Sequence, residues 1–247
     1  MAVHYQVEAG VATVTIDRPE VRNAIDQATA HAVSVSIGAA DADDEVGVIL
    51  ITGAGGHFSV GMDLEAFLRG ELTHSPINGF AGLTQRVLGK PMIAAVEGSA
   101  LAGGFEMALA CDMIVAAENA RFGLGQTRLG LVPDAGGLLR LPRQLPPKIA
   151  AEIILTGETV SSAFLAAHGL INRVVPHGEA LSAARALAAR ILANDPHATR
   201  ISKRVLNESS DWPASEMFAR QDEIAAPLLA PAAARLTEKA GEGKPPG

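Results

Sequence analysis

The chain of 247 residues is poor in cysteine and aromatics: one Cys, one Trp, one Tyr and seven Phe. Cys111 has no partner in the chain, so no intrachain disulfide forms, and a reducing cytoplasmic setting is expected. Basic residues are outnumbered, 20 Lys and Arg against 27 Asp and Glu, giving a formal charge of −7 with no Lys/Arg-rich stripe. Nucleic-acid binding draws its affinity from neutralised phosphates, so it is disfavoured. No apolar run reaches the roughly 18 residues that a membrane-spanning helix needs. Met1 to Gln6 lacks a basic segment followed by an apolar run, so no secretory signal is read. What is present is an ordinary globular composition, 48% apolar and 19% charged. The 25 glycines point to small side chains and close backbone approaches.

The first half alternates strands and helices. Val11–Ile16 alternates apolar residues with threonine and predicts a strand with one exposed face. A helix is expected from Asp26 to Ala40, with Ile25, Val33 and Ile37 at helical spacing. Val46–Ile51 and Pro91–Val96 are short, nearly continuous apolar runs, the pattern of buried parallel strands. Leu83–Leu88 is read as the end of a helix, Phe105–Cys111 as a helix, and Asp112–Ala116 as a strand. These units predict an α/β fold with parallel strands. The second half reads mainly as helices, over Pro147–Leu155, Ser162–His168, Glu179–Ala193 and Pro196–Asn207, with strand signal confined to Leu170–Val175. Asp195 before Pro196 is a good helix cap followed by proline in the first turn. Two regions are therefore expected, an α/β core over 1–190 and a helical region over 191–247 ending in the Gly- and Pro-rich stretch Gly241–Gly247. Ala-rich helical faces of this kind favour an oligomer.

Several common signatures are missing. Phe58 stands where a dinucleotide fingerprint built on Gly53, Gly55 and Gly56 would need glycine, and Gly89-Lys90 is followed by Pro91 instead of the Ser or Thr of a phosphate-binding loop. The seven histidines (4, 31, 57, 74, 168, 177 and 197) show no paired ligand spacing, so no metal site is expected. Ser99 lies in no nucleophile elbow, and Cys111 reads as a buried thiol on an apolar helix face.

Two segments carry potential chemistry. His57 to Leu64 (HFSVGMDL) follows one buried strand, and Ala100 to Glu106 (ALAGGFE) follows another. Parallel strands end on one edge, where open α/β sheets build their sites. Glycines at a helix start allow close approach to outward-pointing N–H groups, which can stabilise an oxyanion. Glu106, one turn into the same helix, is placed to exchange a proton with whatever those donors hold. The alternative is that Gly103-Gly104 serves helix–strand packing and Glu106 is a solvated first-turn acid.

Together, HFSVGMDL, PMIAAVEGSALAGGFEMALACDMIVAAENARFG and RLGLVPDAGGLLRLPR resemble the enoyl-CoA hydratase/isomerase (crotonase) superfamily, with similarity running from about Tyr5 to Asn207. The resemblance implies a spiral of strand–strand–helix repeats with a C-terminal helical trimerisation region, assembled as a homotrimer or a dimer of trimers. It places the oxyanion hole on the backbone N–H groups of Ser59 and Gly103, with the identity of the Ser59 side chain of little consequence. Glu106 falls at one of the two hydratase acid positions and Gln126 at the other. An amide holds a water but cannot take its proton. Asp134, in VPDAGG, falls where several double-bond isomerases of the superfamily carry their proton-shuttling carboxylate; as local turn chemistry it is equally a helix cap. Met62, Asp63, Leu64 and Gly104 are expected at the substrate, with Phe67, Leu68 and the segment Gly70–Gly82 shaping the acyl pocket. His57 is a weaker candidate base, and Arg235, Lys239 and Lys244 are weak candidates for CoA phosphates.

Three functions follow. The first is an enoyl-CoA hydratase or dehydratase with Glu106 as sole acid/base and Gln126 positioning the water. The second is an enoyl-CoA isomerase with Asp134 as shuttle, and the third a non-catalytic acyl-CoA-binding protein. None of them requires a metal or a resident cofactor, since CoA arrives with the substrate.

Overall fold

The computed structural model describes residues 2–242. The chain divides into two compact units, Met1–Leu192 and Ala193–Gly247. The first holds strands β1 (Val3–Glu8), β2 (Val11–Ile16), β3 (Val48–Gly53), β4 (His74–Ser75), β5 (Gly79–Phe80), β6 (Met92–Val96), β7 (Ser99–Leu101), β8 (Met113–Ala117), β9 (Arg121–Gly123), β10 (Val160–Ser161) and β11 (Arg173–Val175). Its helices are α1 (Gln27–Ala42), α2 (Leu64–Leu68), α3 (Gly103–Leu109), α4 (Gly137–Gln144), α5 (Pro147–Thr156), α6 (Ser162–Ala167) and α7 (Ala180–Leu192).

The main sheet runs β1-β2-β3-β6-β8-β11, parallel throughout except for the antiparallel β1–β2 hairpin. A second sheet, β10-β9-β7, stands beside it. The chain visits the two in turn: β6 is followed by β7 and α3, then β8 is followed by β9. One turn earlier, β3 leads to Ser59, which bridges Ala100 of β7 in parallel, and then to α2. The result is a spiral of strand–strand–helix turns.

Both faces of the main sheet are covered, which explains the continuous apolar runs. Ile49, Ile51, Ala94 and Val96 face one core, joined by Val33 and Ile37 of α1. Val48, Leu50, Ile93 and Ala95 face the other, under Ala180, Ala184 and Ala188 of α7, whose small side chains at helical spacing let that helix lie close to the sheet. For the same reason β2 lacks the exposed face its alternation predicts: only Thr15 is half-buried, and the other five residues are buried.

Asp26 caps α1, its side chain accepting from the Thr29 N–H at 2.7 Å. The helix expected to end over Leu83–Leu88 is absent. Ala81 and Gly82 take φ of +52° and +62°, which no α-helix tolerates, and the segment forms tight turns.

The second unit contains α8 (Pro196–Glu208) and α9 (Met217–Glu242). Asp195 caps α8 as expected, accepting from the Ala198 N–H at 2.9 Å. Gly241 and Glu242 close α9, while 243–247 lie outside the described residues, as do the side chains of Arg235, Lys239 and Lys244. Among the described residues no helix is long and apolar enough to cross a membrane.

Candidate active site

The C-terminal ends of β3 and β6 point to one edge, as parallel pairing requires, and there the chain encloses a cavity of about 560 Å³. Met62, Leu64, Phe67 and Phe80 give it apolar walls, and Gly103, Glu106, Gln126 and Asp134 reach it from the α3 side and the turns beyond.

Two residues whose main-chain N–H groups are unpaired among the described residues, Met62 and Gly103, line this space. The Gly61 carbonyl accepts from Ile25 N–H at 2.8 Å, and Asp63 N–H returns a bond to the Ile25 carbonyl at 2.9 Å. In a trans peptide the N–H points opposite to the C=O, so the Met62 N–H is directed away from Ile25. Gly103 opens α3 after Ala102, whose φ of +48° turns the chain sharply. A Cβ on Gly61 (φ +88°) would stand 2.6 Å from the Gly103 nitrogen, so only glycine lets the two segments meet. Among the described residues, no acceptor is paired with the N–H of Met62 or of Gly103.

Ser59 is not the second donor. Its N–H bonds to the Ser99 carbonyl and its carbonyl accepts from Leu101 N–H, both at 2.9 Å, because the residue extends the β7 sheet. It is fully buried and does not line the cavity. Its side chain matters more than expected: Oγ donates to the Asn23 carbonyl at 2.8 Å and accepts from Gly61 N–H at 3.0 Å, fixing the turn that presents Met62. Two further expectations change. Gly104 packs against the Ser59 carbonyl, 2.2 Å from where its Cβ would stand, so it serves helix–strand packing and not the ligand. Asp63 caps α2 through the Ala66 N–H at 3.1 Å and pairs with Arg18 at 3.1 Å, also outside the cavity. Met62, Leu64 and Phe67 line the cavity, while Leu68 does not.

Glu106 is 1% exposed, not the solvated acid of the alternative reading. Oε1 accepts from Gly137 N–H at 2.8 Å, and Oε2 accepts from the Gln126 side-chain amide at 2.9 Å. Burial pushes its carboxyl up to about 7; the Gly137 N–H opposes the rise, the charge of Asp134 adds to it, and the Ala135 N–H and Gln126 oppose it. Gln126 Oε1 is buried and, among the described residues, has no hydrogen-bond partner.

Asp134 lies at the cavity and caps nothing: α4 begins at Gly137, with Gly136 at its cap position and no side-chain cap bond. His57 stays out of the cavity and accepts from Ser99 N–H at 3.3 Å. The Gly70–Gly82 segment reaches the cavity as expected, through Glu71, Thr73 and His74, while Arg128 is a lining residue that sequence reasoning missed. The His74 ring stands edge-on to Phe80 at 5.3 Å, and the Phe80 ring fills the space where Gly103 would carry a Cβ. The Gly137 N–H was also missed, although the paired glycines after Asp134 are its visible trace.

Comparison with known proteins agrees with this architecture. A family model described as enoyl-CoA hydratase/isomerase matches residues 6–229. The chain is 42% identical over 221 residues to a carnitinyl-CoA dehydratase of Salmonella paratyphi A, covering 88% of this chain and 84% of that one. A crystal structure of an enoyl-CoA hydratase from Mycobacterium marinum superimposes with a TM-score of 0.94 at 42% identity, covering 100% of this chain and 98% of that one. A carnitinyl-CoA hydratase from Mycobacterium avium gives a TM-score of 0.82 at 41% identity, covering 91% and 90%. The chain belongs to the enoyl-CoA hydratase/isomerase family.

Proposed function

We propose that this protein adds water to, or removes it from, the C2–C3 bond of a coenzyme A thioester. The observation that carries the reading is the buried Glu106, poised near neutrality and held by Gly137 and Gln126, on the same cavity as two outward N–H groups. The N–H groups of Met62 and Gly103 receive the thioester oxygen, where negative charge develops. Gln126 Oε1 accepts one O–H of the water, and ionised Glu106 accepts the other. Water oxygen bonds to C3 as its proton passes to Glu106, and the C2–C3 π pair moves to form the enolate. Glu106 then returns that proton to C2, so one water molecule supplies both added groups. Dehydration is the reverse.

Both hydratases and carnitinyl-CoA dehydratases occur among the relatives, which supports either direction and an acyl group bearing a quaternary ammonium. The lining is compatible with such a group, since the Asp134 carboxylate lies on the same cavity and acts on Glu106. No metal or resident cofactor takes part in this scheme, and CoA enters as part of the substrate. Exposed Leu206 and Phe218 on the helical unit support self-assembly as a homotrimer or a dimer of trimers, and the single cysteine suits the cytoplasm.

A second reading makes Asp134 the proton shuttle of a double-bond isomerase; its position at the cavity, free of any capping bond, favours it. Turnover separates the two. The protein is assayed with a short 2-enoyl-CoA, a 3-enoyl-CoA and carnitinyl-CoA. Water addition or loss is expected; isomerisation alone supports the second reading, and no turnover on any of them overturns both in favour of a binding protein.

A further inference from the structure

We infer that Arg140 is a positioning residue that holds the start of α4 so that the Gly137 N–H stays on Glu106. The inference rests on the catalytic role given to Glu106 above. Arg140 folds back over the beginning of its own helix. Nη1 lies 2.1 Å from the point where Gly136 would carry a Cβ, and Gly136, at φ +109°, tolerates no side chain there. Nη2 donates to the Thr84 carbonyl at 2.5 Å, in the turn that follows the strand carrying Phe80. The guanidinium thus covers Gly136 at the start of α4 and ties that helix to the Thr84 turn. The next residue, Gly137, supplies the 2.8 Å bond to Glu106 Oε1.

The clamp is also an electrostatic partner. Arg140 is half-buried, and that partial burial lowers its pKa, while Cys111 and Glu106 raise it. Among the described residues no carboxylate lies within ion-pair distance of it. The charged and titratable groups that act around this point are Asp134 from the turn before α4, Glu106 of α3, Cys111 just beyond α3, and Arg140 itself. A cation held on the α4 side favours ionised Glu106, as does the N–H it secures. Losing either raises the pH at which Glu106 ionises.

The test follows the Glu106 carboxyl directly in the resting protein. The pH-dependent carboxyl infrared band that is missing in Glu106→Gln is assigned to Glu106. Its midpoint is then compared in wild type, Arg140→Met and Arg140→Lys, with folding checked by circular dichroism. We expect a midpoint about one pH unit higher in Arg140→Met and an intermediate value in Arg140→Lys, which keeps the charge but loses the planar fork. The acid limb of kcat/KM should move with it while KM changes less than about threefold. An unmoved midpoint in the folded variants overturns the inference. Where Arg140→Met does not fold, Arg140→Lys decides alone. The band titrates whether or not the protein turns over, so absence of hydratase activity removes the functional reading, whereas an unmoved midpoint in an active enzyme overturns the positioning by Arg140 alone.

Discussion

Gln126 donates its side-chain amide to Oε2 of Glu106 at 2.9 Å, and its own Oε1 is left buried with no partner among the described residues. An ionised carboxylate offers only acceptors, so it fixes which end of the amide faces it. The other end is then an unmet acceptor at the cavity, and a buried unpaired oxygen costs about 1–3 kcal/mol until a donor arrives. A water or hydroxyl supplies that donor. In the proposed scheme the amide reads an O–H group and Glu106 carries the proton.

Glu106 couples stability to pH. Its carboxyl is raised from 4.5 to about 7 in the folded protein. Between those values the folded state holds a proton that the unfolded state has released, so stability falls as pH rises through this window. The full loss is about 3 kcal/mol, and Glu106→Gln should abolish it. Denaturant unfolding of both proteins from pH 5 to pH 8 measures the difference; parallel pH slopes would contradict it.

Asp134→Asn separates field from chemistry. Its negative charge raises the Glu106 carboxyl, so the variant should move the acid limb of kcat/KM for hydration to lower pH. With Glu106 as the acid/base, kcat on the plateau should stay within about tenfold of wild type. Loss of all activity would instead assign the proton transfer to Asp134.

Ser59→Ala tests the turn below the Met62 donor. It leaves the Asn23 carbonyl and the Gly61 N–H without their Oγ partner in a buried site, a cost of about 1–3 kcal/mol. The Gly61–Met62 peptide should lose its fixed aim, with kcat/KM down by about tenfold or more. Thermal unfolding and steady-state kinetics report both effects. A variant with wild-type melting temperature and rate would show that the hydroxyl holds nothing.

The sheet was legible because its strands are buried on both faces: Val48–Gly53 and Met92–Val96 are almost unbroken apolar runs. Strands β7 and β9, three residues each, are too short to leave a period. Glu106, Gln126 and Asp134 were legible as side chains with chemistry. The partner of Gly103 was not, because a main-chain donor leaves no residue type to read. The placement at Ser59 conflicts with the geometry, in which Ser59 spends its N–H on β7 while Gly61, lacking a Cβ, lets its segment meet Gly103. Gly104 failed for a related reason: a glycine needed for packing and one needed for a ligand look alike in sequence. The Leu83–Leu88 helix failed because positive φ at Ala81, a residue that ordinarily favours helix, is imposed by the surrounding turns.

The most direct measurement is the rate of water addition to crotonyl-CoA by Glu106→Gln beside wild type, with thioester binding measured on both. Glutamine keeps the size of the side chain and can still meet Gly137 and a reoriented Gln126, but it carries no transferable proton. A fall in kcat of at least about 10²-fold with binding retained is the expected result. A rate equal to wild type would mean that Glu106 moves no proton, and the assignment of this cavity would fail with it.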